Sequence, residues 1–263
     1  MRVIVTRPAV QAATWVRSLE QRGIEAQALP LMEIAPALDS APVTEAWRQL
    51  AGARLVMFVS ANAVEQFFAL RPTDTAWPAI VQAGSPGPGT TRALLDAGVP
   101  VSLIVEPSPD SAQFDSEALW ERLRDRDWRG APVWVVRGDG GRDWLADTLR
   151  AHGATVHFVS AYRRTAPTWN RESQALLDQA LARPDEHLWF FSSSESIDQL
   201  MNHVTNSPHQ PTANAPAGLP AGARAMATHP RIARRAEQAG FAPVWQCSPT
   251  LDDVITCIQS AAP

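Results

Sequence analysis

The side chains here that are equipped for chemistry are hydrogen-bond and proton donors. Arg7, Arg137, Arg142 and Arg163 carry guanidinium forks that pair with carboxylates through two parallel hydrogen bonds. Ser60, Ala61 and Asn62 lie in one polar turn after an apolar run, Ser192, Ser193 and Ser194 in a second, and Gly87 and Thr90 in a third. A strand that ends in such a turn and then opens a helix presents free backbone N–H groups to an anion. His229 and Arg231 belong to a fourth turn, THPRI. Tyr162 is the one tyrosine; a phenol ionises near pH ~10, so at neutral pH it keeps a proton to give to a departing oxygen. The chemistry indicated is anion binding with proton donation. Taken singly, each residue has a plainer role. The arginines suit solvated positions or salt bridges within a domain, Thr90 a helix N-cap, and Tyr162 a ring packed at a domain edge, which residue type alone favours.

Other chemistries find little footing. The run GDGGRDW at 138–144 lacks both the Walker lysine and the spacing of a dinucleotide fingerprint. Asp139 and Asp143 in that turn read as caps, and Cys247 and Cys257, the only two cysteines, have neither metal-ligand spacing nor a disulfide framework. No metal and no organic cofactor are expected. A formal net charge of −4 without a basic block argues against nucleic-acid binding. The start MRVIVTRP enters a strand without a secretory signal, and no apolar run reaches the roughly 20 residues that span a bilayer. A cytoplasmic chain with no membrane role is expected.

The elements that must position these donors repeat. RLVMFVSANAVEQF and HLWFFSSSESIDQL each hold an apolar run, a polar turn and an amphipathic segment, with Phe58 and Phe191, Ser60 and Ser193, and Gln66 and Gln199 all 133 apart. VIVTRPAVQAATWVRSLEQRGIEA resembles VWVVRGDGGRDWLADTLRAHGATV at an offset of 130, as from Arg7 to Arg137. GPGTTRALLDAGV resembles HPRIARRAEQAGF at 142, as from Arg92 to Arg234. Three modules in the same order imply a duplicated unit. Val3 to Thr6, Leu55 to Ser60, Val133 to Val136 and Leu188 to Ser192 read as buried parallel strands. Ala12 to Arg22 and the Trp144–Leu149 region read as helices, closed by Gly23 and Gly153. Strand–helix alternation predicts an α/β fold with helices on both faces of parallel sheets and function at the carboxyl ends of the strands. Asp115 or Ser116 should cap a helix, and Ser207 to Gly222 reads as a mobile loop.

The order of the modules predicts discontinuous domains, one of 1–35 plus 167–263 and the other of 36–166, with a hinge near 31–36 and 162–168. The first module would then join the last two.

TRP at 6–8, FVSANAV at 58–64, GPGTTRAL at 87–94, RGDGGRDWL at 137–145, AYRR at 161–164, FFSSSES at 190–196 and THPRIA at 228–233 together resemble uroporphyrinogen-III synthase over nearly the whole chain. The resemblance implies two similar three-layer, flavodoxin-like α/β domains joined by a two-stranded linker, with the cleft between them. It implies cyclisation of hydroxymethylbilane with inversion of the last ring and loss of water, by a cofactor-independent monomer that receives its substrate from hydroxymethylbilane synthase. It moves Tyr162 from a packing role to assistance of hydroxide departure, and gives the Thr90 hydroxyl a substrate carboxylate. Some relatives carry GPTT where this chain has HPRI, which leaves the parts of His229 and Arg231 open. The competing expectations are a two-domain anion or tetrapyrrole sensor without chemistry, and a phosphosugar enzyme on a similar fold.

Overall fold

The computed structural model describes residues 1–111, 113–206 and 218–261. Of the stretch Ser207 to Gly222, expected as a mobile loop, residues 207–217 lie outside the described residues. The chain begins with β1 (Arg2–Val5), α1 (Ala9–Glu20) and β2 (Ala26–Ala28). It continues through β3 (Glu33–Pro36), α2 (Ala41–Gln49), β4 (Leu55–Phe58), α3 (Ala61–Ala69), β5 (Gln82–Gly84), α4 (Pro88–Asp96) and β6 (Ile104–Val105). Next come α5 (Ser116–Leu123), β7 (Pro132–Gly138), α6 (Trp144–Ala151) and β8 (Thr155–Thr165). It closes with α7 (Arg171–Ala182), β9 (His187–Phe191), α8 (Ser194–Asn206), β10 (Arg224–Ala227), α9 (Pro230–Ala239), β11 (Val244–Gln246) and α10 (Leu251–Ala261). Two compact units result, Met1–Glu33 with Thr165–Pro263, and Ile34–Arg164.

In the first unit the sheet order is β11-β10-β9-β1-β2, and neighbouring strands run parallel. Strand alternation divides its core into two layers. Ile4, Trp189 and Phe191 pack against Leu177, Ile197 and Ala236 of α7, α8 and α9. Val3, Val5 and Phe190 pack on the opposite face against Leu19 of α1 and Val254 and Ile258 of α10. The second unit has the order β3-β8-β7-β4-β5-β6. Val56, Phe58 and Val136 face Trp47 of α2, Phe67 of α3 and Leu94 of α4. Leu55, Met57, Val133 and Val135 face α5 and α6 through Leu119, Leu123, Leu145 and Leu149. Both units are therefore three layers deep. All five residues of β9 are buried, which is why that strand reads as an unbroken apolar run and not an alternation.

The three sequence offsets reappear in the strand registers. Val3 pairs with Ala26 as Val133 pairs with Val156, a shift of 130 on both strands. Val3 pairs with Leu188 as Val133 pairs with Leu55, and Leu188 with Arg224 as Leu55 with Gln82, which carries the shifts of 133 and 142. The first unit thus holds the doubly wound order 2-1-3-4-5, and the second, β8-β7-β4-β5-β6, has the same spatial arrangement entered at its third strand, with β3 added beyond it. The connection reverses between β1 and β9 in one unit and between β7 and β4 in the other. Ligands in open α/β sheets collect outside the carboxyl ends at such a point.

Local chemistry fixes the helix ends. Asp115, the Asp of the two candidates, caps α5 by accepting from Ala118 N at 2.9 Å. Just past α1 and α6, Gly23 and Gly153 take left-handed φ values of +75° and +92°. At the first unit's switch point, the buried Thr6 hydroxyl donates to the Phe190 carbonyl at 2.7 Å, tying the exit of β1 to β9.

Candidate active site

In the second unit the structure brings Tyr162 of β8 together with Ser60 and Arg164. β7 and β8 stay in step until Arg137 and Ser160, and then Gly138 pairs with Tyr162, so that Ala161 is an extra residue. Such a bulge re-aims the side chains that follow it. Ala161 and Tyr162 are both buried, and the phenol ring fills the space that a side chain at Gly138 would occupy, within 2.8 Å of a Cβ there. The Tyr162 hydroxyl is 3.2 Å from Ser60 Oγ and accepts from Arg164 Nη2 at 3.1 Å. The Arg164 guanidinium carbon also lies 5.3 Å from the Tyr162 ring centroid. Ser60 caps α3, its Oγ accepting from Ala63 N at 3.2 Å; Ala61 and Asn62 follow, partly exposed.

The two hydroxyls share one hydrogen bond in which either can donate, the phenol oxygen also accepting from Arg164 and Ser60 Oγ from Ala63 N at the N-terminus of α3.

The Gly87 turn is built differently. Gly87 is the N-cap of α4, without a side-chain cap, and Pro88 opens the helix. A Cβ at Gly87 would meet Phe114 Cβ at 3.0 Å. Thr90 lies inside the first turn and is buried, so the cap expected of it falls to Gly87. The turn is pinned by fully buried Ser85, whose Oγ donates to Gly87 O at 2.8 Å and accepts from Gly87 N at 3.3 Å. The Thr91 hydroxyl lies 2.9 Å from Ser85 Oγ and donates to the Glu106 carboxylate.

Two of the arginines are engaged within this unit. Arg137 bonds to Asp143 and to Gly141 O, the latter at 2.9 Å, with its guanidinium 4.9 Å from the Phe158 centroid. Arg142 grips Glu117 with both forks, at 2.6 and 3.1 Å. Arg163 has a buried Nε without a hydrogen-bond partner.

In the first unit Arg7 leaves β1 with its guanidinium 4.9 Å from the Trp15 centroid and 5.6 Å from that of Phe190. Its Nε is buried without a partner. Burial pulls its pKa down to about 10, against a smaller opposing effect of Cys247. Ser192, Ser193 and Ser194 follow β9, all partly exposed, with Ser193 Oγ accepting from Glu195 N at 3.2 Å. His229 caps α9 through Nδ1, which accepts from Arg231 N at 3.1 Å. Among the described residues no group of three or more His, Cys, Asp or Glu could hold a metal, and no helix is long and apolar enough to cross a membrane.

Sequence reasoning passed over Gly138, Arg164, Ser85 and Thr6. Arg164 had a signal, since residues two apart on a strand share a face and 164, not 163, sits on the side of Tyr162. Ser85 stands two residues before a glycine cap, within reach of its amide. Nothing local marks Gly138, whose role depends on a bulge in another strand.

A sequence profile described as "Uroporphyrinogen-III synthase HemD" matches residues 13–256. The uroporphyrinogen-III synthase of Escherichia coli (strain K12) is 30% identical over 207 residues, covering 78% of this chain and 80% of that protein. The Salmonella typhimurium protein of the same name is 27% identical over 182 residues, 67% of this chain and 70% of that one. A mutant uroporphyrinogen III synthase of Thermus thermophilus superposes with a TM-score of 0.60 at 18% identity, over 99% of this chain and 98% of the other. The Helicobacter pylori 26695 uroporphyrinogen-III synthetase gives 0.54 at 16%, over 100% of both. These two structures show a shared α/β fold, whereas the profile and the Escherichia coli relative carry the descent: the chain belongs to the uroporphyrinogen-III synthase family.

Proposed function

We propose that this chain is a cyclising lyase that closes hydroxymethylbilane to uroporphyrinogen III, inverting the last ring and releasing water. The observation that supports the reading is the buried Tyr162 hydroxyl, which accepts from Arg164 and lies 3.2 Å from Ser60 Oγ at the N-terminus of α3. The substrate supplies the electronic push: a pyrrole nitrogen lone pair expels the terminal hydroxyl and leaves an azafulvene electrophile. The protein has to give that oxygen a proton, exclude water and hold the last ring so that its substituted carbon meets the electrophile. Tyr162 provides the proton, with Ser60 as the donor that touches the leaving oxygen. Correct placement of two reacting centres contributes about 7–11 kcal/mol in well-oriented cases.

The substrate's carboxylates need donors, and the turns supply them with little fixed charge. We assign Ala61, Asn62, Gly87 and Thr90 to this role, with Ser192, Ser193, Ser194, His229 and Arg231 in the other unit. Arg7 and Arg163 add guanidinium groups whose Nε atoms have no protein partner, and Arg137 and Arg142 reach carboxylates by exchanging Asp143 and Glu117 for substrate. The same reading places the enzyme in the cytoplasm as a monomer that takes its substrate from hydroxymethylbilane synthase. The tendency of the free bilane to close by itself to the type I isomer supports such a hand-over.

Purified protein is incubated with enzymatically generated hydroxymethylbilane and the oxidised products are separated by isomer. Type III product is expected. Type I alone, with the protein still binding the tetrapyrrole, would make it a sensor, and stabilisation by phosphosugars would point to the third reading.

A further inference from the structure

The turn between β5 and α4 is held by a clasp of buried hydroxyls. Ser85, fully buried just past β5, donates its backbone N–H to Val105 O of β6 at 2.9 Å. Its hydroxyl donates to Gly87 O at 2.8 Å and accepts from Gly87 N at 3.3 Å, so one side chain grips both polar atoms of the same residue. Thr91 of α4 places Oγ1 2.9 Å from Ser85 Oγ and against the carboxylate of Glu106, the residue after β6. Phe114 Cβ lies 3.0 Å from where a Gly87 Cβ would stand, so the turn has no room to swing that way.

The clasp determines which donors the turn shows. Gly87 O accepts from Thr90 N at 3.0 Å and from Thr91 N at 3.1 Å, and Pro88 has no N–H. Among the described residues Gly89 N–H is left as the first-turn amide of α4 without a protein acceptor, and a Cβ at Gly89 would meet nothing within 4 Å. A serine at the N-cap itself, as Ser60 is for α3, covers a first-turn N–H. Ser85 spends its hydroxyl on the backbone of the turn instead, and the helix terminus stays bare.

Granted the cyclase reading on which this rests, we propose that Ser85 is a positioning residue for substrate binding: through Gly87, and braced by Thr91 and Glu106, it holds the Gly89 N–H for a carboxylate of the tetrapyrrole. Gly89 is the donor, and none of its supports touches the substrate. An amide fixed beforehand binds without a further ordering cost. Its loss weakens ground state and transition state alike, because a side-chain carboxylate takes no part in the bond that breaks, so KM rises and kcat does not fall.

Ser85→Ala, Thr91→Val and Thr91→Ser are assayed with hydroxymethylbilane, and binding of the octacarboxylate product is followed by fluorescence. Ser85→Ala and Thr91→Val should raise KM and the product Kd together by about tenfold, the effect of one hydrogen bond to a charged group, with kcat within about twofold of the parent. Thr91→Ser, which keeps the hydroxyl, should restore the parental KM. Leu149→Ala, a core truncation on α6, should lower the urea midpoint without raising KM, which separates positioning from general loosening. Parental KM and Kd in folded Ser85→Ala, or a fall in kcat at constant KM, would overturn the proposal, and Thr91→Val decides by the same criteria where Ser85→Ala does not fold. A parent that yields only the type I isomer sinks the cyclase reading while the product Kd still judges the clasp, and a parent that binds no product overturns both.

Discussion

Gly138→Ala is the most searching test of how the phenol is held. The new Cβ would lie 2.8 Å from Tyr162 Cε2 and 2.9 Å from Cζ, where carbon atoms pack at about 3.5–4.0 Å. The ring must then retreat by about 1 Å. It cannot tip into solvent, being 1% exposed in the core of the second unit. Retreat stretches the contacts of 3.2 Å to Ser60 and 3.1 Å to Arg164 beyond hydrogen-bond range. Overpacking costs about 1–3 kcal/mol, and a buried hydroxyl stripped of its partners about 1–3 kcal/mol more. A combined loss of about 2–6 kcal/mol is expected, read as a lower urea midpoint by tryptophan fluorescence. A misplacement of about 1 Å at the reacting groups lowers turnover by about 100-fold, read by the rate of type III product in urea-free buffer where the variant is still folded. Parental stability would show that the ring is not pinned by this glycine. Reduced stability with an unchanged rate would show that the position of the hydroxyl does not matter to the reaction.

Tyr162→Phe keeps the ring and removes the oxygen, so unfolding should shift by only about 0.5–1.5 kcal/mol while turnover falls and product binding persists; an unchanged rate removes Tyr162 from the mechanism. Arg7 loses its charge as pH rises through about 10, so binding of the octacarboxylate product, followed by fluorescence, should weaken there in the parent and be flat in Arg7→Met; parallel curves would take Arg7 out of the site. Replacing Arg142 by Gln should weaken capture more at low than at high ionic strength, whereas Glu117→Gln, which frees the fork, should strengthen it; equal losses at both salts would argue against a charge contact. His203, its ring tilted 55° to that of Trp169 with centroids 4.2 Å apart, has its pKa lowered by burial, against Asp178. The unfolded chain therefore binds the proton more readily, and stability present above the ordinary histidine range near ~6.5 is lost as pH falls through it toward the lower folded value. His203→Phe should flatten that acid limb, and an unaltered limb would assign it to other groups.

Strands buried on both faces announce themselves, and strands at sheet edges do not. The runs at β1, β4, β7 and β9 are continuous because neither side of the pleat meets water. The edge strands β2, β6 and β11, and β5 next to an edge, have sequences AQA, IV, VWQ and QAG, too short for any period, and only pairing with a neighbour makes them strands. The turns at Ser60 and Gly87 were legible for the opposite reason, since a cap is chemistry between residues two or three apart. What joins Gly138, Tyr162 and Ser60 is a bulge and two strand pairings, long-range features that no local pattern encodes.

The duplication leaves the phenol in one unit only. An offset of 130 carries Gly138 to Pro8 and Tyr162 to Met32, so the first unit has a buried thioether in place of a phenol and a proline in place of the glycine that admits the ring. An offset of 133 carries Ser60 to Ser193, so the serine at the turn is kept while its backing hydroxyl is not. At 142, Gly87 becomes His229, and a helix N-terminus without a side-chain cap becomes one capped by its own imidazole. Two units with identical registers have therefore diverged at the three positions where their strands end. The second keeps the phenol and a helix N-terminus without a side-chain cap, and the first keeps Arg7 on an aromatic shelf of Trp15 and Phe190. Such a division suits a reaction with one leaving group and many carboxylates: one protonation site is needed, and a second in the other copy would give the free bilane another hydroxyl donor without the geometry that decides the isomer.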